Sequence, residues 1–400
     1  MQEQTRAYLS ARFGDYYAGA RVPDPPAANR REWGYIPFSR GSTTMVRHRS
    51  LLDMGALGDF LEREAPRHVY YSAARYDDPD AGTMGAKGWL GADLVFDLDA
   101  DHLPGVDPEA QGLGEMLATC KDALGRLLDL LADDFGFADY DVVFSGGRGY
   151  HVHVRDERLL ELGRAERREI VDYVLGTDVD FETIVRTELV SGDTGRETPA
   201  PKKTLPTDGG WGGRVHRRLL ALLEELAALD DDDALERLQA YDGIGQKSAE
   251  TVLGAIRNNA GELRSGNVEP GGAGTSKIAR ALVAETVAAE HAPIDEPVTT
   301  DVNRLIRLPG SLHGGSGLRV TPIEEGDLAA FDPFEHAVPA PFRGDEIAVD
   351  VHDPGPTPFP DPSGDGTFTV QEGYNYVPEH VGVFLMARGR GEKGKEGKEG

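Results

Sequence analysis

Cysteine is almost missing from this chain: Cys120 is the single one in 400 residues. One thiol excludes an intramolecular disulfide and any multi-cysteine zinc site, and it fits a reducing cytosol. No apolar run of about 18 residues occurs, so no membrane-spanning helix is expected. The N-terminus also lacks the apolar stretch of a signal peptide, and the expectation is a soluble cytoplasmic protein with no membrane partner. Positive charge is scarce as well, with 42 Lys and Arg against 69 Asp and Glu and a formal charge of −27. Such a balance ordinarily argues against phosphate contacts, which come from basic residues. Two details weaken the objection: Arg far outnumbers Lys, and the acids are spread over surface-like positions such as Asp230 to Asp233. The composition reads as a surface adapted to concentrated salt, where self-repulsion is screened over a few ångströms.

What is present is enough apolar content, 39%, for two or three domains with proper cores. The chain is organised around Asp93-Leu94-Val95-Phe96-Asp97-Leu98-Asp99-Ala100-Asp101-His102. Leu94, Val95, Phe96 and Leu98 read as a buried strand, and Asp97 and Asp99 then fall on one side of its pleat. Two carboxylates on one face of an apolar strand repel each other, and a divalent cation is the usual remedy. The alternative is a strand that ends at Phe96, with the acids opening a solvated turn.

A helix is expected from Thr5 to Ala18, with Tyr8, Leu9, Phe13, Tyr16 and Tyr17 packing instead of binding. Segments around Arg30 to Gly34 and Met45 to His48 look like strands, Leu51 to Ala65 like a helix, and Val69 to Ala74 like a strand. Glu115 to Phe135 is helical, with Cys120 on its apolar face. A strand from Asp141 leads into Ser145-Gly146-Gly147-Arg148-Gly149-Tyr150-His151-Val152-His153. Its glycines let backbone N–H groups approach an anion, and Ser145 and Arg148 add donors. A plain hairpin is the competing reading. Asp156 to Leu175 is a charged amphipathic helix. Gly243 to Lys247 is similar to a helix-hairpin-helix turn, or is ordinary helix packing. The stretch from Pro293 to His313 adds Asp295, Asp301, Arg304, Arg307 and His313 around an apolar segment.

Three motifs taken in order resemble one family. Phe96-Asp97-Leu98-Asp99, Ser145-Gly146-x-Arg148-Gly149-x-His151, and Asp295 with Arg304 to His313 are similar in order and spacing to the catalytic small subunit of archaeal and eukaryotic DNA primases. The likeness runs from the N-terminal helix to about Ala387, and the acidic composition resembles that of a haloarchaeal member. The resemblance implies an α/β (α+β) archaeo-eukaryotic primase fold, with an RRM-like catalytic sheet and a helical insert. Its parts would be a catalytic core over 1–187, a mobile loop over 188–213, a helical insert over 214–290, the rest of the core over 291–387, and a disordered tail over 388–400. By motif position, Asp97, Asp99 and Asp295 would hold two Mg²⁺ or Mn²⁺ ions, with Asp301 a competitor for the third place. Ser145, Arg148, His151, Arg307 and His313 would hold the nucleoside triphosphate, and Arg47 matches a further phosphate-contacting arginine.

The resemblance also implies template-directed primer synthesis on single-stranded DNA from NTPs, with dNTPs left open, and a heterodimer with the primase large subunit. Relatives carry a zinc knob after the acidic strand. Here His102 to Cys120 keeps only those two potential ligands where four are the norm, so no structural zinc is expected. Two rival classes stay open at this stage. An Asp-x-Asp strand end also marks aspartyl-phosphate phosphohydrolases and metal-dependent glycosyltransferases, and Gly243 to Lys247 would suit a metal-independent nucleic-acid-binding scaffold.

Overall fold

A computed structural model describes residues 1–39, 44–190, 200–324, 326–361 and 366–395. The chain forms two compact units: Met1–Leu124, Asp139–Val171 and Pro293–Gly400 in the first, Gly125–Ala138 and Asp172–Ala292 in the second. The architecture is mixed α/β with several antiparallel sheets. No helix of the described residues is long and apolar enough to cross a membrane.

In the first unit, the acidic stretch is a strand, Leu94–Asp99, at one end of a four-stranded sheet. Next to it lie Gly149–Val154, Tyr140–Phe144 and Thr321–Ile323, each antiparallel to its neighbour. Period-two alternation sorts the side chains. Leu94, Phe96 and Leu98 point into the core, where the Cys120 thiol lies 3.5 Å from the Leu98 carbonyl, and Val95, Asp97 and Asp99 take the other face. A second antiparallel sheet runs Leu305–Arg307, His68–Ser72, Trp33–Ile36 and Val46–Arg49. The N-terminal helix Glu3–Gly19 buries Leu9, Phe13, Tyr16 and Tyr17. Its tyrosines also fasten the chain ahead of His313: the Tyr16 hydroxyl donates to the Gly310 carbonyl at 2.7 Å, and the Tyr17 oxygen accepts from Leu312 N–H at 3.1 Å.

Three local expectations change. The helix expected from Leu51 to Ala65 is two, Leu51–Met54 and Leu57–Glu64, parted at Gly55 with φ +81°. The helix expected from Asp156 begins only at Arg164, after a short 3-10 turn at Glu157–Leu159. Arg388 to Lys395 is ordered where a disordered tail was expected. Gly391–Lys393 pairs with Glu346–Val351, and the Glu392 carboxylate accepts from Gln2 N–H at 2.9 and 3.0 Å. Gly and charge alternation suggests disorder only while no partner is in view, and here an existing strand and the N-terminus satisfy this backbone. Residues 396–400 of that segment lie outside the described residues.

The second unit is mainly helical. Helices Gly210–Ala228, Asp231–Gln239, Gln246–Asn258 and Ala273–Glu290 close on a core that includes Leu219, Leu223, Val252, Ile256, Ile278 and Leu282. Arg214 is anchored there by Asp134 and Glu290, each at 3.0 Å. The stretch read as a loop over 188–213 takes part in a ladder between Arg186–Val190 and Ala200–Thr204, and its end starts the Gly210–Ala228 helix. Residues 191–199 of it lie outside the described residues. The turn at Gly243 precedes the Gln246–Asn258 helix, and the Lys277 ammonium donates to the Gly243 carbonyl at 2.9 Å.

Candidate active site

Cross-strand register builds the site. Asp97 lies opposite His151, and Asp99 opposite Gly149. Directly opposed residues share a face, so both acids and His151 look into one cavity of about 620 Å³ in the first unit. Asp295 arrives from far along the chain: its N–H donates to the Asp97 carbonyl at 2.8 Å, which fixes it at the start of the short helix Glu296–Thr300. Burial, and next the charge of Asp295, push the Asp97 carboxyl up to about 6. Asp99 is likewise pushed up to about 6, by burial first and then by its hydrogen bond with Asp101. His151 Nε2 sits 3.4 Å from Asp97 Oδ1. Burial, then the cations Arg307 and Arg304, hold the imidazole down to about 3, so it faces the carboxylate as a neutral ring.

Arg148 stands over the acids, 3.6 Å from Asp99 and in contact with Asp101. Even so, Oδ1 of Asp99 and Oδ1 of Asp101 are buried without a hydrogen-bond partner. Ligand-capable atoms of Asp99, Asp101 and His102 lie within 4.8 Å of one another. Hard oxygen donors with unsatisfied lone pairs fit a divalent cation.

The opposite wall is basic and built on the glycine turn. The Ser145 hydroxyl accepts from Gly147 N–H at 3.4 Å and Gly149 N–H at 3.3 Å, folding the turn on itself. Gly149 is required by close approach, since a Cβ there would lie 1.8 Å from the Leu98 carbonyl oxygen. Gly146, at φ +76°, leaves room for His313, whose Cβ would sit 2.7 Å from a side chain at that position. His313 Nδ1 accepts from Gly315 N–H at 3.2 Å, which leaves its proton on Nε2, beside Gly147. Burial, followed by the charge of Arg307, drives its pKa well down. Arg307 is held by its own partners: Nη1 meets His68 Nδ1 at 2.7 Å and the Tyr70 hydroxyl at 3.0 Å, with the guanidinium 5.2 Å from the Tyr70 ring centre. His68, pushed down to about 2 by burial and then by Arg307, remains a neutral acceptor.

One wall of acids facing one wall of cations and N–H donors suits a polyanion bound together with metal. Comparison with known proteins agrees. Residues 96–325 match the model of the DNA primase small subunit family. The chain is 59% identical over 397 residues to the DNA primase small subunit PriS of Haloarcula marismortui, covering 99% of this chain and 100% of the relative. It is 56% identical to the same subunit of Natronomonas pharaonis, again over 99% of this chain and 100% of the relative. With that of Methanococcoides burtonii the identity is 41%, over 98% and 100%. The chain belongs to the DNA primase small subunit family. Its chemistry is therefore that of a DNA primase, a nucleotidyltransferase of replication.

Of the residues singled out in the sequence, the structure gathers Asp97, Asp99, Asp295, Ser145, Arg148, His151, Arg307 and His313 around this cavity. Arg47 is not among the lining residues, and its Nε pairs with buried Glu32 at 3.2 Å. Asp301 does not line the cavity either. The compact acidic cluster is Asp99, Asp101 and His102, and sequence reading gave Asp101 and His102 no part in it. Arg304, named in the third motif but given no role, lines the cavity as well, while Tyr70 and Arg388 line it and were passed over, as was His68 behind Arg307. A signal existed for Tyr70, which alternates with His68 on a strand next to Leu305–Arg307. For Arg388 there was none, because its place depends on a pairing made far along the chain.

Proposed function

We propose that this subunit makes short primers on single-stranded DNA by template-directed transfer of nucleotides from NTPs, releasing pyrophosphate. The observation that carries the reading is the pairing of Asp97 and Asp99 with the glycine turn in adjacent strands, so that acids and phosphate donors face one cavity. Asp97, Asp99 and Asp295 are the proposed holders of two Mg²⁺ or Mn²⁺ ions, and Asp101 and His102 stand close enough to Asp99 to share the task. Such ions, when bound, acidify the attacking 3′-hydroxyl and neutralise the triphosphate.

The chain's own residues do the positioning. The Ser145 hydroxyl, which accepts from the turn, offers its own proton to phosphate, Arg148 and Arg307 offer charge, and neutral His313 donates from Nε2. These groups stabilise negative charge on the leaving pyrophosphate without a covalent intermediate. Arg148, carried on the glycine turn and paired with Asp99 and Asp101, is a proposed phosphate contact. His151 keeps Asp97 oriented toward the cavity. The four-stranded antiparallel sheet is the proposed RRM-like catalytic sheet, and the helices of the second unit are the proposed insert. The subunit name of the relatives supports a large-subunit partner.

The deciding experiment is synthesis on unprimed single-stranded template at high KCl, comparing Mg²⁺ with Mn²⁺ and rNTPs with dNTPs. Products that depend on template and metal are expected. Synthesis that persists in EDTA would remove the metal assignment, and absence of product with every metal and nucleotide, with the large subunit present, would remove the function.

A further inference from the structure

Arg388 follows the buried helix Glu379–Ala387 and lines the same cavity as Ser145, Arg148 and His313. Of the other arginines that line the cavity, Arg304 acts on Asp97, and Arg148 and Arg307 are already engaged. Arg148 leans on Asp99 and Asp101, and Arg307 spends Nη1 on His68 and Tyr70. Among the described residues Arg388 forms no ion pair with a carboxylate, and its guanidinium rests 5.0 Å from the ring centre of Phe384. An aromatic mount orients a guanidinium without using up its N–H donors, so an incoming anion has no carboxylate to displace.

The backbone beneath it is pinned. Arg388 N–H donates to the Phe384 carbonyl at 3.0 Å and Arg390 N–H to the Leu385 carbonyl at 2.8 Å, with Gly389 at φ +74° closing the turn. The Arg390 guanidinium holds the carbonyls of Asp353 at 3.1 Å and Pro356 at 3.0 Å, and the Gly391–Lys393 strand follows at once. Arg388 is exposed to solvent, and Arg148 and Arg390 stand near enough for their like charge to act on it.

Resting on the nucleotide reading above, we propose that Arg388 is a further phosphate-binding residue for the incoming triphosphate, reaching it from the cavity that Ser145, Arg148 and His313 also line.

The test is equilibrium binding of ATP, ADP and AMP in Mg²⁺ to the full chain, to Arg388→Ala, and to Arg388→Met, which keeps an apolar stem against Phe384 should the alanine variant not fold. Removing one charge-assisted contact should weaken ATP about tenfold and AMP by less. Arg388→Lys should recover part of the loss, and in primer extension the KM for NTP should rise more than kcat falls. Unchanged ATP affinity in Arg388→Met overturns the proposal, and so does an equal loss for ATP and AMP. A loss of single-stranded oligonucleotide binding with ATP intact would assign the residue to DNA and overturn it too. Failure of the wild-type chain to prefer ATP over AMP would instead strike the nucleotide reading itself, and this proposal with it.

Discussion

At the scale of residues, the site is a set of like charges held together against their repulsion. Asp97 and Asp99 keep protons up to about 6 in the folded chain, while an unfolded Asp releases its proton near about 4. Between those values the folded state binds more protons than the unfolded one, so metal-free stability falls as pH rises through that window. Thermal unfolding in EDTA from pH 4 to pH 7 should show this decline, and a midpoint that climbs over the same range would refute it. Added Mn²⁺ should raise the midpoint little at pH 5 and much more at pH 7.5, because the cation competes with those protons. Asp97→Asn and Asp99→Asn should each reduce synthesis by at least on the order of a hundredfold. The same variants should melt no lower than wild type in EDTA, since each removes a crowded charge. Primer synthesis retained by either variant would count against the metal assignment.

At the scale of elements, what matters is how closely two strands approach and what stands behind a side chain. Leu94–Asp99 and Gly149–Val154 can pair only because position 149 carries no side chain, with Leu98 O where a Cβ would be. Gly149→Ala is expected to lower stability by about 1–3 kcal/mol as the strands part, read as a drop in the denaturant midpoint. Wild-type stability in that variant would mean that the strands are farther apart than described. His68 stands behind Arg307 on the neighbouring strand and touches it at 2.7 Å. His68→Ala should raise the KM for NTP several-fold and leave the unfolding midpoint near wild type, because the arginine loses its orientation and keeps its charge. A change in kcat with KM unaltered would contradict this.

At the scale of the whole molecule, the formal charge of −27 sets the conditions under which everything else operates. Screening by salt weakens the self-repulsion of such a chain, and the unfolding midpoint should rise from 0.1 M to 2 M KCl. A fall over that range would contradict the reading of the acidic surface. The same charge explains why net composition misleads about ligands: the described cations that matter, Arg148, Arg304, Arg307 and Arg388, are collected around one cavity.

The chain by itself determined whatever depends on neighbours in sequence. Period-two alternation put Asp97 and Asp99 on one face, the glycines marked a tight turn, and helical spacing placed Cys120 in the core. Tertiary structure alone decided what depends on distant partners. It set Asp295 against Asp97 through a main-chain hydrogen bond, drew Arg47 to Glu32 and away from the cavity, and put His68 behind Arg307. It also turned a segment of glycines and charges into a strand, just beyond the helix end that places Arg388 at the site. The physical reason is that a strand or turn is chosen by torsions and nearby side chains, whereas a contact between distant residues is chosen by which surfaces remain to be buried and which N–H and C=O groups remain to be paired once the sheets have formed.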